Sequence, residues 1–192
     1  MDANLTVKSD DELIVLFQNG AQEAFEEIVL RYKNSVYQYI LSLVKDDGAA
    51  GDLFQDVFLA LFKHAADFRA EGKLKSWLFQ TARNKVLHFW RDNKTPLSLD
   101  ETDEEGNAFW HETLADDAPA LLDVLETQEL GAQIRQAAEK LPPRQREVVF
   151  LRQYMSFKEM AEFLHRPLGT VLADCHRGLQ KMKVLLNQGD FL

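Results

Sequence analysis

The sequence is poor in cysteine and in long apolar stretches. Cys175 is its only cysteine, and no apolar run approaches the roughly 20 residues that span a bilayer. A lone cysteine excludes an internal disulfide and a cysteine-based metal cluster, as is typical of proteins in a reducing compartment. The five histidines show no metal-ligand spacing, and residues 1–12 are polar and acidic, unlike a secretory signal. We therefore expect a cytoplasmic protein with no metal, no other cofactor and no membrane insertion of its own.

Basic residues are missing from the middle of the chain, and this is where the excess negative charge lies. The net charge of the 192 residues is −9. Residues 98–131 hold 11 acidic residues and no basic one, whereas residues 1–97 have a net charge of −2 and residues 132–192 a net charge of +4. The overall acidity therefore does not exclude nucleic acid as a partner, because the C-terminal part alone is basic enough to approach phosphate.

Alternating strand patterns are also absent, and apolar residues recur at the spacings of three and four that are typical of amphipathic helices. We predict an all-α protein of two helical domains, residues 1–95 and 132–192. Within the first domain, DDGAAGD at residues 46–52 breaks the pattern, and LFQDVFLALFKHAADF, residues 53–68, is predicted to form one helix. An acidic, flexible linker, residues 96–131, joins the domains. It is either a solvated connection or an acidic segment that binds a basic groove on a partner or mimics nucleic acid.

Helix-start signals divide the C-terminal domain into four short helices that end in a helix–turn–helix. Pro142 and Pro143 stand where a helix can begin, since the first turn needs no N–H donor from them. Ser156 and Glu159 have the spacing of a capping box, and Pro167 starts the last helix. A helix–turn–helix places its second helix in the DNA major groove. A generic four-helix bundle with a solvated basic surface is the alternative.

The outward face of the last helix is a candidate DNA-reading surface. Its apolar stripe is predicted to run through Leu168, Val171, Cys175, Leu179, Met182 and Leu186, which leaves Thr170, Ala173, Asp174, Arg177 and Lys181 facing outward, with His176 beside them. Further cations precede it: Arg144, Arg146, Arg152, Lys158 and Arg166. Asp174 is unusual in such a place, because phosphate repels a carboxylate. It either accepts a hydrogen bond from a cytosine amino group or pairs with Arg177.

A second candidate surface mixes aromatic and basic side chains in FRAEGKLKSWLFQTARNKVLHFWRDNK, residues 68–94. By their spacing, one polar face of its helix holds Gln80, Asn84, His88 and Arg91. Such a mixture suits single-stranded nucleic acid, because cations follow the backbone while rings take the bases. The alternative for Trp77 and Trp90 is packing in the core.

Taken in order, these segments resemble a bacterial RNA polymerase sigma factor of the extracytoplasmic-function group, the two-domain type of the sigma-70 family. The resemblance covers nearly the whole chain. AFEEIVLRYKNSVYQYILSLVKDDGAAGDLFQDVFLALFKHAADF looks like the polymerase-binding helices of the group, the aromatic–basic segment like its promoter −10 segment, and LPPRQREVVFLRQYMSFKEMAEFLHRPLGTVLADCHRGLQKMKVLL like its −35 domain. It implies a dissociable subunit, not an enzyme, that gives core RNA polymerase its promoter specificity.

The resemblance also implies partners for individual residues. Contacts with the β′ subunit of core polymerase are implied for Asp52, Gln55, Asp56 and Phe58. The melted −10 strand is implied to contact Arg69, Lys73, Lys75, Trp77, Arg83, Asn84, Lys85, His88 and Arg91, with the loop from Arg69 to Lys73 holding a flipped base. The −35 duplex is implied to contact Arg166, Thr170, Ala173, Asp174, His176, Arg177 and Lys181. The acidic linker would thread toward the active centre and the basic RNA exit path of core polymerase, whose β′ and β subunits are the implied partners. An anti-sigma factor would cover the polymerase-binding surface.

The recognition helix departs from the group. Members commonly have a GTVKSRLHRAR-like stretch, whereas residues 169–179 here read GTVLADCHRGL, without two usual cations and a serine. Our hypothesis is an unusual −35 sequence, with backbone affinity from Arg166, Arg177 and Lys181. Two rival readings remain. A conventional helix–turn–helix regulator would dimerise and bind DNA without polymerase, and a sigma-like decoy would occupy polymerase or an anti-sigma factor without initiating.

Overall fold

The computed structural model describes residues 5–69, 71–93 and 128–188. The chain forms two compact units, residues 1–95 and 96–192. All regular structure in the described residues is helical, with eight α-helices, two short 3-10 turns and no strand, which confirms the all-α prediction. Most of the predicted acidic linker lies outside the described residues.

The first unit is built around a long central helix. Its four helices are α1 Asp10–Gln18, α2 Gln22–Val44, α3 Asp47–His64 and α4 Leu74–Asp92, with 3-10 turns at Leu5–Val7 and Ala65–Asp67. α2 contacts α1, α3 and α4. Apolar rows of α2 and α3 are buried, with Ile28, Ile40, Val57 and Leu61 all at 0% exposure. Because each such side chain contributes about 1.5–3 kcal/mol when it is fully buried, these rows hold the unit together.

Local signals in the sequence start and end these helices. The Ser9 hydroxyl accepts the Glu12 N–H at 3.3 Å while the Glu12 carboxylate accepts the Ser9 N–H at 2.7 Å, so α1 begins with a capping box. Asp46 caps α3 by accepting the Ala49 N–H at 2.6 Å. Lys45, in the left-handed region at φ 58°, ends α2 directly before this cap. The DDGAAGD stretch is therefore the first turns of α3, not a break before it.

The second unit holds the predicted four helices. They are α5 Gln128–Glu139, α6 Pro143–Leu151, α7 Phe157–Leu164 and α8 Leu168–Gln188. α5 begins within the segment assigned to the linker. α8 contacts each of the other three helices. Part of the shared core consists of Ile134, Ala137, Leu141, Val149 and Met182.

Two predicted helix starts of this unit are confirmed. Pro143 is the first residue of α6, where its missing N–H costs no helical hydrogen bond. Ser156 caps α7, since its hydroxyl accepts the Glu159 N–H at 3.3 Å and its own N–H donates to the Glu159 carboxylate at 2.7 Å. Both signals are local, which is why the sequence pattern alone located them.

A glycine sets the close approach of α8 to α6. A Cβ atom placed on Gly178 would lie 2.7 Å from Cγ2 of Val149 and 3.4 Å from Cβ of Gln145. The first distance is well inside van der Waals contact, and a β-branched valine has little freedom to turn away. α8 therefore lies against α6 at a separation that only glycine permits at this position.

Candidate nucleic-acid interface

One exposed stripe of α3 is acidic and polar at its start and apolar at its end. Asp52, Gln55 and Asp56 are exposed, and the stripe continues at helical spacing to Leu59 and Phe62. These last two side chains are 50% and 55% exposed. Sequence analysis missed them, although their offset from the buried row of Val57 and Leu61 was a signal for their exposure. An apolar pair on an exposed helix favours a protein partner.

Phe58, predicted for the same contact surface, is buried instead. Its exposed fraction is 7%, and its ring centroid lies 4.9 Å from that of Phe54. It follows Val57 and precedes Leu61 on the inner side of α3. The side chain therefore supports the helix from within and is not available to a partner.

The predicted polar face of α4 is confirmed. Asn84, His88 and Arg91 are exposed, and Gln80 is half-buried. The Gln80 amide donates to Asn84 Oδ1 at 3.2 Å, and Arg91 Nη2 lies 2.6 Å from His88 Nδ1. The four side chains cover about 16 Å along the helix at 1.5 Å per residue. Amide, imidazole and guanidinium groups together offer donors and acceptors to base edges and a cation to phosphate.

An ion pair joins this face of α4 to the exposed stripe of α3. Lys85 Nζ lies 2.9 Å from Asp56 Oδ2, with side chains 37% and 51% exposed. Exposed pairs of this kind contribute about 0–1 kcal/mol, so a stronger partner can break the contact. The pair therefore links a residue predicted to bind DNA with one predicted to bind polymerase.

The aromatic and basic residues of α4 divide between surface and core. Trp90 is 3% exposed, so the core-packing alternative holds for it. Trp77 is half-buried, with its ring edge-on to Phe68 at a centroid distance of 5.9 Å. Arg83 is 7% exposed, which contradicts its placing on a DNA-contacting surface. The mixed composition of the segment did not reveal on which side of α4 this arginine lies.

The loop between α3 and α4 exposes charged side chains. Arg69, Glu71 and Lys73 are exposed, and Lys75 in the first turn of α4 is half-buried. Lys73 Nζ lies 2.7 Å from Glu71 Oε2. Gly72 has φ 67°, a left-handed conformation that glycine adopts without steric cost. Exposed cations, Arg69 and Lys73, therefore stand on both sides of the turn at Gly72.

The predicted helix–turn–helix is present in the second unit. His165 ends α7 in the left-handed region at φ 53°. Its N–H donates to the Glu162 carbonyl at 3.2 Å, and the Arg166 N–H donates to the Ala161 carbonyl at 3.0 Å. These two bonds have the pattern that commonly closes a helix end. α8 begins two residues later, after Pro167.

The start of α8 does not present the predicted face. Residues 171–175 are all buried, with Ala173 at 2% and Asp174 at 4% exposure. The prediction that these two side chains face outward is wrong. The prediction treated α8 as a helix with one buried face, whereas α8 packs against three helices, α5, α6 and α7, and so buries more of its surface. Neither side chain is available to a base edge in this conformation.

Asp174 instead lies within a buried network of charges. Its Oδ1 accepts a hydrogen bond from Arg177 Nη2 at 2.9 Å, and its Oδ2 lies 3.8 Å from Arg166 Nη1. Arg166 Nη2 lies 3.5 Å from Glu147 Oε2, and the side chains of this second pair are 7% and 0% exposed. The alternative in which Asp174 pairs with Arg177 is therefore confirmed. Arg166, predicted to contact phosphate, is a buried counter-ion.

The exposed cations of the helix–turn–helix are fewer than predicted. Lys181 is exposed, Arg177 keeps 35% of its side chain exposed, and Thr170 and His176 are half-buried. Arg146, one of the cations predicted near the helix, is 2% exposed. Burial lowers the pKa of Arg146 to about 10, so it remains charged at neutral pH. Of the other predicted cations, Lys158 is exposed and Arg144 and Arg152 are half-buried, so a DNA backbone would meet fewer cations here than predicted.

Cys175 is a packing residue. It is 1% exposed, and burial raises the pKa of its thiol to about 11. In the part of the chain that the structure describes, no cluster of histidine, cysteine and acidic residues could hold a metal ion. Within the same ranges, none of the helices combines the length and the apolar character needed to cross a bilayer.

Two family models match the chain, one in each unit. The model described as Sigma-70 region 2 matches residues 28–95, and the model described as Sigma-70, region 4 matches residues 131–182. The first match contains α3, the following loop and α4. The second contains the helix–turn–helix.

Curated relatives match over most of their length. The chain is 29% identical over 170 residues to the ECF RNA polymerase sigma factor SigW of Bacillus subtilis, which covers 86% of this chain and 90% of that protein. It is 26% identical over 170 residues to the RNA polymerase sigma-H factor of Pseudomonas aeruginosa, covering 87% and 88%.

Solved structures show the same fold. CnrH in complex with the cytosolic domain of CnrY aligns with a TM-score of 0.63 and 23% identity, covering 95% of this chain and 99% of that chain. The sigma factor RpoE in complex with the anti-sigma factor NepR from Bartonella quintana aligns with a TM-score of 0.61 and 22% identity, covering 85% and 96%.

Proposed function

Since this chain belongs to the extracytoplasmic-function group of the sigma-70 family, we propose that its two units contact two separate parts of a promoter. As a sigma factor, the protein binds core RNA polymerase and directs promoter-specific initiation of transcription. The polymerase supplies the chemistry of RNA synthesis, so the protein itself is not an enzyme. It acts in the cytoplasm, where the polymerase works.

The polar face of α4 is the proposed contact for the melted −10 strand. Asn84, His88 and Arg91 stand exposed in one row, and this observation supports the proposal most directly. Lys75 at the start of α4 and Arg69 in the preceding loop add positive charge for the backbone. The half-buried ring of Trp77, which packs edge-on against Phe68, adds an aromatic side chain to the same segment. Arg83 is left out of the proposed contact because it is buried.

The exposed stripe of α3 is the proposed contact for the clamp of the β′ subunit. Asp52, Gln55 and Asp56 supply its polar half, and Leu59 and Phe62 add an apolar half that a protein partner can bury. Apolar burial supplies affinity and charge supplies orientation, so the mixture suits a specific protein interface.

The helix–turn–helix is the proposed contact for duplex DNA at −35, with a reduced set of side chains. Thr170, His176, Arg177 and Lys181 remain accessible to DNA, whereas Asp174 is withdrawn into the domain. Arg177 and Lys181 are suited to phosphate, which gives affinity with little sequence information. We therefore expect weak base selection at −35 and a larger share of promoter choice at −10.

Control by an anti-sigma factor is part of the proposal. One of the matched structures holds a sigma factor in complex with an anti-sigma factor. In this chain, Leu59 and Phe62 are the exposed apolar side chains of the polymerase-binding stripe. An inhibitor that covers them would block access to polymerase.

Reconstituted transcription tests the proposal. Core polymerase with this protein should initiate on a fragmented genomic library at sites that share a −10-like motif. Asn84→Ala/Arg91→Ala should abolish most specific starts while it leaves core binding intact. The matched control is Lys33→Ala/Asn34→Ala, which removes one amide and one cation from exposed positions of α2. Core binding without specific starts by the unaltered protein would favour the decoy, and DNA binding without core would favour a conventional regulator.

A further inference from the structure

Two side chains of α1 hold both ends of the loop between α3 and α4. The side-chain amide of Gln18 donates hydrogen bonds to the carbonyl oxygens of Ala65 and Phe68, each at 2.8 Å. The Asp11 carboxylate accepts the N–H of Gly72, at 3.0 and 2.9 Å from its two oxygens. Arg69 and Glu71, two exposed residues of the loop, lie between the attachments at Phe68 and Gly72, and the exposed Lys73 follows directly after the second.

The hydrogen bonds from Asp11 and Gln18 go to backbone groups of the loop, so they restrain its backbone conformation. A carboxylate that accepts a backbone N–H makes a charge-assisted hydrogen bond, which is stronger than a neutral one. Gly72 donates that N–H from a left-handed conformation at φ 67°, where the chain turns into α4. The two carbonyls that Gln18 binds lie at the first residue of the 3-10 turn after α3 and just after that turn, and the Ala65 carbonyl also accepts the Phe68 N–H at 3.2 Å.

α1 is itself fixed to the body of the unit. Leu13 and Ile14 are 0% exposed. Asp10 forms an ion pair with Arg31 of α2 at 2.7 Å and accepts a hydrogen bond from the Tyr32 hydroxyl. Asp11 and Gln18 therefore reach the loop from a packed helix. We call their hydrogen bonds to the loop the tethers. Because they start from a rigid element, they position the loop more accurately than contacts from another loop would.

We propose that Asp11 and Gln18 are positioning residues for promoter opening, because they hold the loop from Arg69 to Lys73 ready to receive a base extruded from the −10 element. This inference rests on the proposed −10 contact of α4 and on the capture of a flipped base that the family resemblance implies for the loop. Surface loops usually sample several conformations, and an untethered loop must lose that freedom at the moment of base capture. The hydrogen bonds from Asp11 and Gln18 order the loop when the protein folds. The entropic cost of ordering the loop therefore does not arise when the base is captured, so capture is more favourable.

The test compares promoters with and without the captured base. A set of promoter duplexes is made, each with one abasic nucleotide at a different position of the −10 element. Open-complex formation is measured on each duplex with holoenzyme that contains the unaltered protein. The position where loss of the base reduces open complex most is the captured base. Holoenzyme with Asp11→Ala/Gln18→Ala should open the intact promoter about tenfold more slowly, since it lacks three hydrogen bonds to the loop. On the duplex without that base, the two holoenzymes should open at equal rates.

Two further variants separate positioning from general damage. Asp11→Asn keeps an acceptor for the Gly72 N–H and should recover part of the rate. Gln22→Ala/Glu23→Ala likewise removes one amide and one carboxylate, from exposed positions in the first turn of α2, and should leave the rate unchanged. If Asp11→Ala/Gln18→Ala slowed opening equally on both templates, the cause would be general damage to the fold. If it left the rate on the intact promoter unchanged, the hydrogen bonds from Asp11 and Gln18 would not contribute to opening. Either result overturns the inference. Failure of the unaltered holoenzyme to open any promoter would refute the proposed function instead.

Discussion

Replacing Asp174 by alanine removes one acid from the buried charge network of α8. The Asp174 side chain is 5% exposed, and its carboxylate lies 2.9 Å from Arg177 Nη2 and 3.8 Å from Arg166 Nη1. After Asp174→Ala, Arg166 keeps only Glu147 of this network, at 3.5 Å. A net positive charge then remains next to the core of the second unit, and we expect this unit to become less stable.

The two ion pairs lost in Asp174→Ala contribute different amounts of free energy to stability. Arg177 keeps 35% of its side chain exposed, so solvent screens this pair to about 0.5–1 kcal/mol. The pair with Arg166 is buried, and removal of one partner from a buried pair typically costs about 3–5 kcal/mol. Because Glu147 still compensates Arg166, we expect less than half of that. The sum is about 2 kcal/mol, or roughly a thirtyfold change in the opening equilibrium.

Amide hydrogen exchange of the full chain measures this loss locally. A chain of two units does not unfold in a single step, so a global midpoint would mix their stabilities. Amides of α8 should exchange roughly thirtyfold faster in Asp174→Ala, while those of α2 and α4 serve as an internal control. Glu162→Ala is the matched variant, since it removes an exposed acid from α7 with the same change of net charge. It should leave exchange in α8 unchanged.

Unchanged exchange of α8 in Asp174→Ala would refute this reasoning. It would mean that the apolar replacement packs as well as the ion pairs, as happens in some proteins. If the variant instead altered the preferred base at one −35 position without loss of protection, Asp174 would be a base reader after all. In that case the buried conformation would not be the one that meets DNA.

Three other predictions concern packing, the thiol and the ion pair between α3 and α4. Gly178→Ala should lower the thermal midpoint of the second unit, because the clash with Val149 at 2.7 Å costs about 1–3 kcal/mol against roughly 1 kcal/mol of helix propensity gained. The same change in a Val149→Ala background should cost less, and equal costs in both backgrounds would contradict the clash. Cys175, with its pKa raised to about 11 by burial, should react with iodoacetamide at pH 8 far more slowly in the folded protein than in urea. Because the unfolded thiol ionises near pH 8.5, its contribution to stability should be present below that pH and be lost as the pH rises toward about 11. Asp56→Ala should release Lys85 and raise the affinity of the polymerase-free protein for single-stranded −10 DNA about two- to threefold at low salt. No gain, or a gain that persists in Lys85→Ala, would show that the pair does not restrain the lysine.

Features that depend on neighbours in the chain were predictable. The capping box of Ser156 and Glu159 and the proline at the start of α6 act within one helical turn, so their pattern alone located two helices. The polar face of α4 followed from spacing, because Asn84, His88 and Arg91 lie on one side of any α-helix. The same locality explains an error. DDGAAGD is predicted to break the helical pattern, but the Asp46 cap and the packing of α3 on α2 and α4 outweigh the low helix propensity of its two glycines.

Features that depend on distant segments were not predictable. The tethers from Asp11 to Gly72 and from Gln18 to Phe68 join residues that are 61 and 50 positions apart in the sequence. No pattern within either segment predicts these contacts. The burial of Phe58 and Arg83 depended on which side of α3 and α4 the neighbouring helices cover. Composition placed both residues in a functional segment, but only packing decides exposure.

The sequence by itself determined that this protein is helical, that it has two units, and which family it resembles, because periodicity, caps and motif order are properties of short stretches. The tertiary structure alone decided what Asp174 does. A helical stripe divides residues between one inner and one outer face, whereas α8 meets three other helices and buries residues around its circumference from 171 to 175. An aspartate in that position is stable only beside cations, and Arg166 and Arg177 are brought there by the turn and by the helix itself.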